Sequence, residues 1–118
     1  MSANPAPLPA HLLTIEHNLS PDGALTLVCR GRITLETAMQ FRSEVKSLAA
    51  QHKLLLADLS AVQSIDSAGI GGIFGTYISA KSDGCDLMLV NVNPRIKDLL
   101  NITHLNRFFG DKNTQSLP

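Results

Sequence analysis

The chain has no tryptophan, one tyrosine and four phenylalanines. Single-stranded nucleic acid stacks on aromatic side chains, so their scarcity argues against that class of partner. A surplus of charge is missing too. Lys and Arg together number 10, and Asp and Glu also number 10. Binders of nucleic acid or of acidic membranes carry excess positive charge, which this chain does not offer. No apolar run approaches the ~18 residues of a membrane-spanning helix. The first residues show no basic stretch followed by an apolar one, so no secretory signal is expected. The two cysteines, Cys29 and Cys85, stand in separate apolar runs without C-x-x-C spacing. They read as buried, reduced thiols of a cytoplasmic protein. The histidines, His11, His17, His52 and His104, are scattered and match no ligand spacing, so no metal site is expected. No serine, histidine and acid arrangement suggests a catalytic centre.

What is present is material for one core. Of 118 residues, 44% are hydrophobic, which suits a single domain. Residues 1–10, MSANPAPLPA, hold three prolines and no periodicity, and read as a loose tail. HLLTIEHNL alternates weakly and predicts a strand. Ser20-Pro21-Asp22-Gly23 signals a turn, and ALTLVCRG alternates again, so the pair predicts a hairpin. The period then changes. Thr34 is a good N-cap and Glu36 suits the positive end of a helix. Ala38, Phe41, Val45, Leu48 and Ala49 recur at threes and fours, which predicts an amphipathic helix over 35–51. KLLLADLS (53–60) and DLMLVNV (86–92) are near-continuous apolar runs, the pattern of strands buried on both faces. A helix is expected over 67–81. Another starts at Asn93-Pro94, with Ile96, Leu99 and Leu100 inward. Arg95 and Lys97 read as solvated charges beside that start. The end, FFGDKNTQSLP, shows no strong pattern.

The order ββαβαβα predicts an α/β fold: a small mixed β-sheet with a parallel portion, right-handed crossovers and helices packed mainly on one face. We divide the chain into a flexible N-terminal tail (1–10), one domain (11–110) and a C-terminal tail (111–118).

Residues 64–75, S-I-D-S-A-G-I-G-G-I-F-G, hold four glycines and invite a phosphate-loop reading. The spacing rejects it. A dinucleotide fingerprint counted from Gly69 finds Gly71 at its third position but Phe74 at its sixth. A nucleoside triphosphate loop ends in Gly-Lys-Ser/Thr, and no lysine occurs here before Lys81. Placed on a helix, Ile70, Ile73, Phe74, Tyr77 and Ile78 share one broad face. Ala68, Gly71, Gly72, Gly75 and Ser79 share the other. Each interior helix glycine costs about 1 kcal/mol relative to alanine, so a bare face needs a reason. Either a neighbouring element of the fold or a partner protein approaches the backbone there. The apolar face already supplies internal packing, so the partner is the expectation. Asp66 and Ser67 stand at the helix start, where either can cap. Ser67 is also a candidate phosphoacceptor, because the helix end tolerates an anion.

These residues carry a resemblance. LLLADLSAVQSIDSAGIGGIFGTY is similar to the core motif of STAS domains, the sulphate-transporter and anti-sigma-factor-antagonist family. The G-R-I-T at the end of the second strand and the DLMLVNVNPRIKDLL segment match as well. The resemblance spans roughly residues 12–109. It implies the STAS fold and, for a stand-alone bacterial member, an anti-sigma-factor antagonist. Such a protein binds a serine-kinase anti-sigma factor and regulates sigma-factor-dependent transcription. The kinase phosphorylates the serine after the motif aspartate, here Ser67, which breaks the complex. A serine phosphatase restores it. No cofactor and no catalysis are implied, and a homodimer stays open. The family alternative is a non-switching scaffold subunit of a transporter or stress-signalling complex. Thr34 stands where many phosphorylated members carry aspartate. Ala68 leaves Ser67 the sole hydroxyl at its spot. The expected partner surface is therefore Thr34, Asp66, Ser67, Ala68, Gly71, Gly72, Gly75 and Ser79.

Overall fold

A computed structural model of the chain describes residues 12–103. The expected tails, 1–10 and 111–118, lie outside the described residues. So do His11 and His104. The elements follow the predicted order: β1 (Leu13–Leu19), β2 (Leu25–Ile33), α1 (Leu35–Ala49), β3 (Leu54–Ile65), α2 (Ser67–Ser82), β4 (Asp86–Val90) and α3 (Pro94–Thr103). The strands form a four-stranded sheet in the order β1-β2-β3-β4. β1 and β2 are the antiparallel hairpin. β2, β3 and β4 run parallel, with α1 and α2 as the crossovers.

The hairpin turn closes as its residues dictate. The Ser20 hydroxyl and the Ala24 N–H both donate to the Asp22 carboxylate, and the Gly23 N–H donates to Ser20 O at 2.9 Å. Gly31 lies in β2 at φ 115°, and a Cβ there would collide with the Leu12 carbonyl. Only glycine combines that torsion with so close a neighbouring strand.

Alternation decides which face is covered. Leu25, Leu27, Cys29 and Ile33 of β2 are buried, as are Leu55, Ala57 and Leu59 of β3 and Leu87 and Leu89 of β4. They meet Ala38, Phe41, Val45 and Ala49 of α1 and Ile70, Ile73 and Ala80 of α2 in one core. The opposite face is half open: Thr26, Val28, Leu54, Leu56, Asp58, Met88 and Val90 are only partly buried. This corrects the expectation that β3 and β4 are buried on both faces. Their apolar runs are continuous, yet α1 and α2 pack against one side only.

β3 also runs further than 53–60. It continues to Ile65 because β2 continues to Ile33 and pairs with it through two register shifts. The stretch A-V-Q-S-I, which follows the expected strand, is therefore strand as well. Beyond the end of β4 its flank is met by α3, where the Asn93 amide donates to Val62 O at 2.8 Å. Asn93 caps α3 as its sequence predicts, accepting from the Ile96 N–H at 3.0 Å. Ile96 and Leu100 are buried beneath it.

Asp58, inside the D-L-S motif, fastens β3 to the end of β4. It accepts from the Ser60 N–H at 2.8 Å and the Asn91 amide at 2.9 Å. Asn91 holds φ 54°, a left-handed conformation that asparagine tolerates. Burial pulls the Asp58 carboxyl up, but hydrogen bonds from Ser60 and Asn91, with the Arg30 charge, outweigh it and hold the carboxyl below its ordinary value. Burial pushes the Cys29 thiol up to about 12, with Asp58 adding to the shift, so Cys29 stays protonated and inert. Both cysteines are buried and free, as expected.

A carboxyl held below its unfolded value stabilises the fold above that value, and its contribution is lost as pH falls through the folded one. Asp58→Ala should therefore lower stability by about 1 kcal/mol at pH 7. The gap from wild type should begin to narrow as pH drops below about 4, the unfolded carboxyl range, and close as pH falls through the lower folded value. Urea denaturation at a series of pH values checks this.

Candidate functional site

The parallel strands β2 and β3 end side by side, with Ile33 in register with Ile65. Each then turns directly into a helix. The residues that follow, Thr34 and Asp66, are the two N-caps. The sequence separates them by about thirty positions, and the sheet brings them together at the carboxyl ends of its strands. In open α/β sheets this is where functional residues gather.

Thr34 caps α1 in a capping box. Its hydroxyl accepts from the Thr37 N–H at 3.5 Å, and its N–H donates to Thr37 Oγ1 at 2.8 Å. The Thr37 hydroxyl in turn donates to Arg32 O at 2.7 Å, which fixes the strand-to-helix corner. Thr34 thus spends its polar groups on the corner itself.

Asp66 caps α2, its carboxylate accepting from the Gly69 N–H at 2.7 Å. Its own N–H donates to Ile33 O at 3.2 Å. Asp66 is therefore the structural member of the Asp-Ser pair. Ser67 is the first residue of α2, is exposed, and its hydroxyl has no hydrogen-bond partner among the described residues. Only this hydroxyl of the cluster is free for chemistry. Ala68 beside it is exposed as well.

The glycines divide into two groups. Gly69 is buried, and a Cβ on it would collide with the Ile33 carbonyl. Gly72 packs against α1, where a Cβ would collide with the Ala38 methyl. Gly71 has open space around it, and a Cβ on Gly75 would come no closer than 4.0 Å to Arg42 Nη1. Gly72 therefore leaves the expected partner strip: it serves the α1–α2 contact. Ala68, Gly71 and Gly75 remain, with Ser79 half-buried at the edge.

The inward face also differs from expectation. Gly69, Ile70, Ile73, Thr76 and Ala80 are buried, while Phe74 and Tyr77 are half-buried and Ile78 is 51% exposed. The helix is apolar on most sides, so periodicity had little to orient it by. Close packing against α1 and the β2 carbonyl turns the small residues inward instead. Thr76 is accommodated because its hydroxyl donates to Gly72 O at 2.8 Å. Gly69 was missed as a site-shaping residue. Its signal was its place three residues after the capping aspartate, where the helix is nearest the strand it follows.

On α1, Leu35 is 67% exposed and Met39 71% exposed, one turn apart. Neither belongs to the core stripe, and both lie in the first turns of α1. Arg95 and Ser64 line a shallow groove with Ile65 and α3, on the other side of the corner. Among the described residues no group of three His, Cys, Asp or Glu side chains comes together to hold a metal. No described helix is long and apolar enough to cross a membrane.

The sequence matches the STAS domain family over residues 18–116. Among solved structures, an anti-sigma factor antagonist from Mycobacterium paratuberculosis is similar at 23% identity and TM-score 0.71, covering 85% of each chain. A Thermotoga maritima protein described as a candidate anti-sigma factor antagonist is 26% identical at TM-score 0.70, over 82% of this chain and 84% of that one. The phosphorylated form of the Bacillus cell fate determinant SpoIIAA is 14% identical at TM-score 0.61, over 83% of this chain and 90% of that one.

The two groups of glycines should separate in stability. Gly69→Ala and Gly72→Ala should each cost about 1–3 kcal/mol by overpacking. Gly71→Ala should be neutral or stabilise by up to ~1 kcal/mol through helix propensity. Thermal denaturation of the three variants checks this. Equal losses at all three positions would refute an open face at Gly71.

Proposed function

The chain belongs to the STAS domain family, and on that premise we propose that it is an anti-sigma-factor antagonist. In this reading it binds a serine-kinase anti-sigma factor in the cytoplasm and is switched off when the kinase phosphorylates Ser67. A serine phosphatase reverses the mark, and the cycle regulates sigma-factor-dependent transcription. The protein itself catalyses nothing and uses no cofactor. The observation that carries this reading is the Ser67 hydroxyl: exposed, without a hydrogen-bond partner among the described residues, and at the first position of a helix whose cap is already supplied by Asp66. Ser67 is therefore not needed as the cap, and modifying it spares the fold.

The physics of the switch follows from that position. A phosphoserine adds about −1.5 to −2 charges at neutral pH. The helix end offers N–H groups that tolerate an anion, so the fold survives. The surface does not stay the same. Beside Ser67 lie the uncharged Thr34, Ala68 and Gly71 and the capping carboxylate of Asp66, and a partner fitted to that surface must then desolvate a phosphate as well. Charge introduced into a closed interface costs affinity in proportion to how completely water is excluded.

One observation favours a second reading. Thr34 brings no charge to the corner and is committed to capping α1. A non-switching scaffold subunit of a transporter or stress-signalling complex would use the same surface for a permanent partner, with Ser67 unmodified.

The readings part on incubation with ATP and the anti-sigma kinase encoded in the same genome, followed by intact mass and site mapping. One phosphate on Ser67, absent in Ser67→Ala, is the expected result. No transfer under conditions where the kinase binds would leave the scaffold. In the same binding assay Ser67→Asp should weaken the complex at least tenfold, about 1.4 kcal/mol.

A further inference from the structure

α1 and α2 lie side by side and run in the same direction. Ala38 meets Gly72, Arg42 approaches Gly75, and further along Lys46 lies 3.7 Å from Asp83. The surface between them is a trough whose two walls differ. The α2 wall is nearly bare backbone at Gly71 and Gly75. The α1 wall carries Leu35, Met39, Arg42 and Lys46, spaced by fours and threes along one stripe. Leu35 and Met39 stand at the Ser67 end, and both are more than two-thirds exposed. Together they form a small exposed apolar patch beside the start of the helix that carries Ser67.

The charges that α1 contributes to the trough are both basic, Arg42 and Lys46, with Asp83 at the end of α2 the acid near Lys46. Glu36 and Glu44 lie on the other flank of α1, with Gln40, whose amide reaches back to Leu13 O, while Glu44 pairs with His17 at 3.0 Å. Arg42 has no carboxylate partner among the described residues, and the Lys46–Asp83 pair is a long, exposed one that binds weakly. A second copy of this chain, packed face to face, would set Arg42 and Lys46 against their own equivalents. The charge therefore favours a different molecule of opposite sign.

We propose that this trough seats a segment of the partner protein, one that lays an apolar side chain against Leu35 and Met39 and offers a carboxylate to Arg42. The proposal rests on the reading that the start of α2 faces a partner, and it extends that contact along α1. The apolar contact at the Ser67 end supplies affinity. The Arg42 guanidinium further along fixes the direction in which the segment lies, since only one orientation places its acid there. The bare α2 wall admits the segment close to the helix axis.

Titration of the anti-sigma kinase from the same genome against wild type, Met39→Glu, Arg42→Glu and Ser67→Asp tests this. Met39→Glu and Arg42→Glu should each weaken binding at least tenfold while melting temperatures stay near wild type, because both residues are exposed. The loss in Arg42→Glu should shrink as salt is raised. Wild-type affinity in both α1 variants, with Ser67→Asp weakened, would overturn the trough and leave the Ser67 reading standing. A kinase that ignores wild type would overturn both. Sedimentation showing a dimer that Met39→Glu dissociates would give the trough to a second copy and overturn the partner proposed here.

Discussion

The carbonyl of Ile33 is the point on which the site depends. It closes β2, it accepts the Asp66 N–H, and it lies so near Gly69 that no side chain fits there. One oxygen thereby joins the end of one strand to the start of the helix that follows the next strand. The contact fixes where α2 begins and how closely it lies on the sheet. It also sets Ser67 beside Thr34. Any residue larger than glycine at position 69 would lift the helix and separate the two corners. The D-S-x-G order is thus a mechanical requirement before it is a functional one: aspartate to cap, glycine to approach, and between them two positions facing outward.

The same closeness accounts for the make-up of α2. A helix drawn in this far must also meet α1 at short range, and Gly72 against Ala38 is the consequence. Helix propensity is lost at both glycines and packing recovers it, since side-chain-free helix surfaces bring more of the core into contact. The cost at Gly71 and Gly75 has no such internal return. That difference is what gives the outer strip its meaning: two glycines are explained by the fold and two are left to what lies outside it.

Much of this could be read from the residues. The change from period two to period three-to-four located the elements in order, and the caps at Thr34, Asp66 and Asn93 stood where short polar side chains precede apolar periodicity. Ser67 could be singled out as a hydroxyl at a helix start that tolerates an anion, but that Asp66 and not Ser67 is the cap came from the structure. What could not be read was orientation. α2 is apolar nearly all round, so Ile78 was expected inside, and the structure leaves it half exposed while burying Thr76, which the periodicity had not singled out. β3 and β4 had the same defect in another form. A continuous apolar run says that a strand is hydrophobic, but whether both faces are covered depends on how many helices reach each side.

The sequence by itself determined the order of elements, the helix starts and the failure of the glycines to match a nucleotide loop, and it offered Ser67 as a candidate hydroxyl. Each of these rests on local chemistry: periodicity, capping and the spacing of glycines. Only the tertiary structure decided which glycines are internal, that Thr34 and Asp66 adjoin, that Arg42 approaches Gly75, and that Leu35 and Met39 stay exposed. Those facts depend on distances between residues far apart in the chain. The parallel pairing of β2 with β3 and the carbonyl of Ile33 set those distances, and no local pattern encodes them.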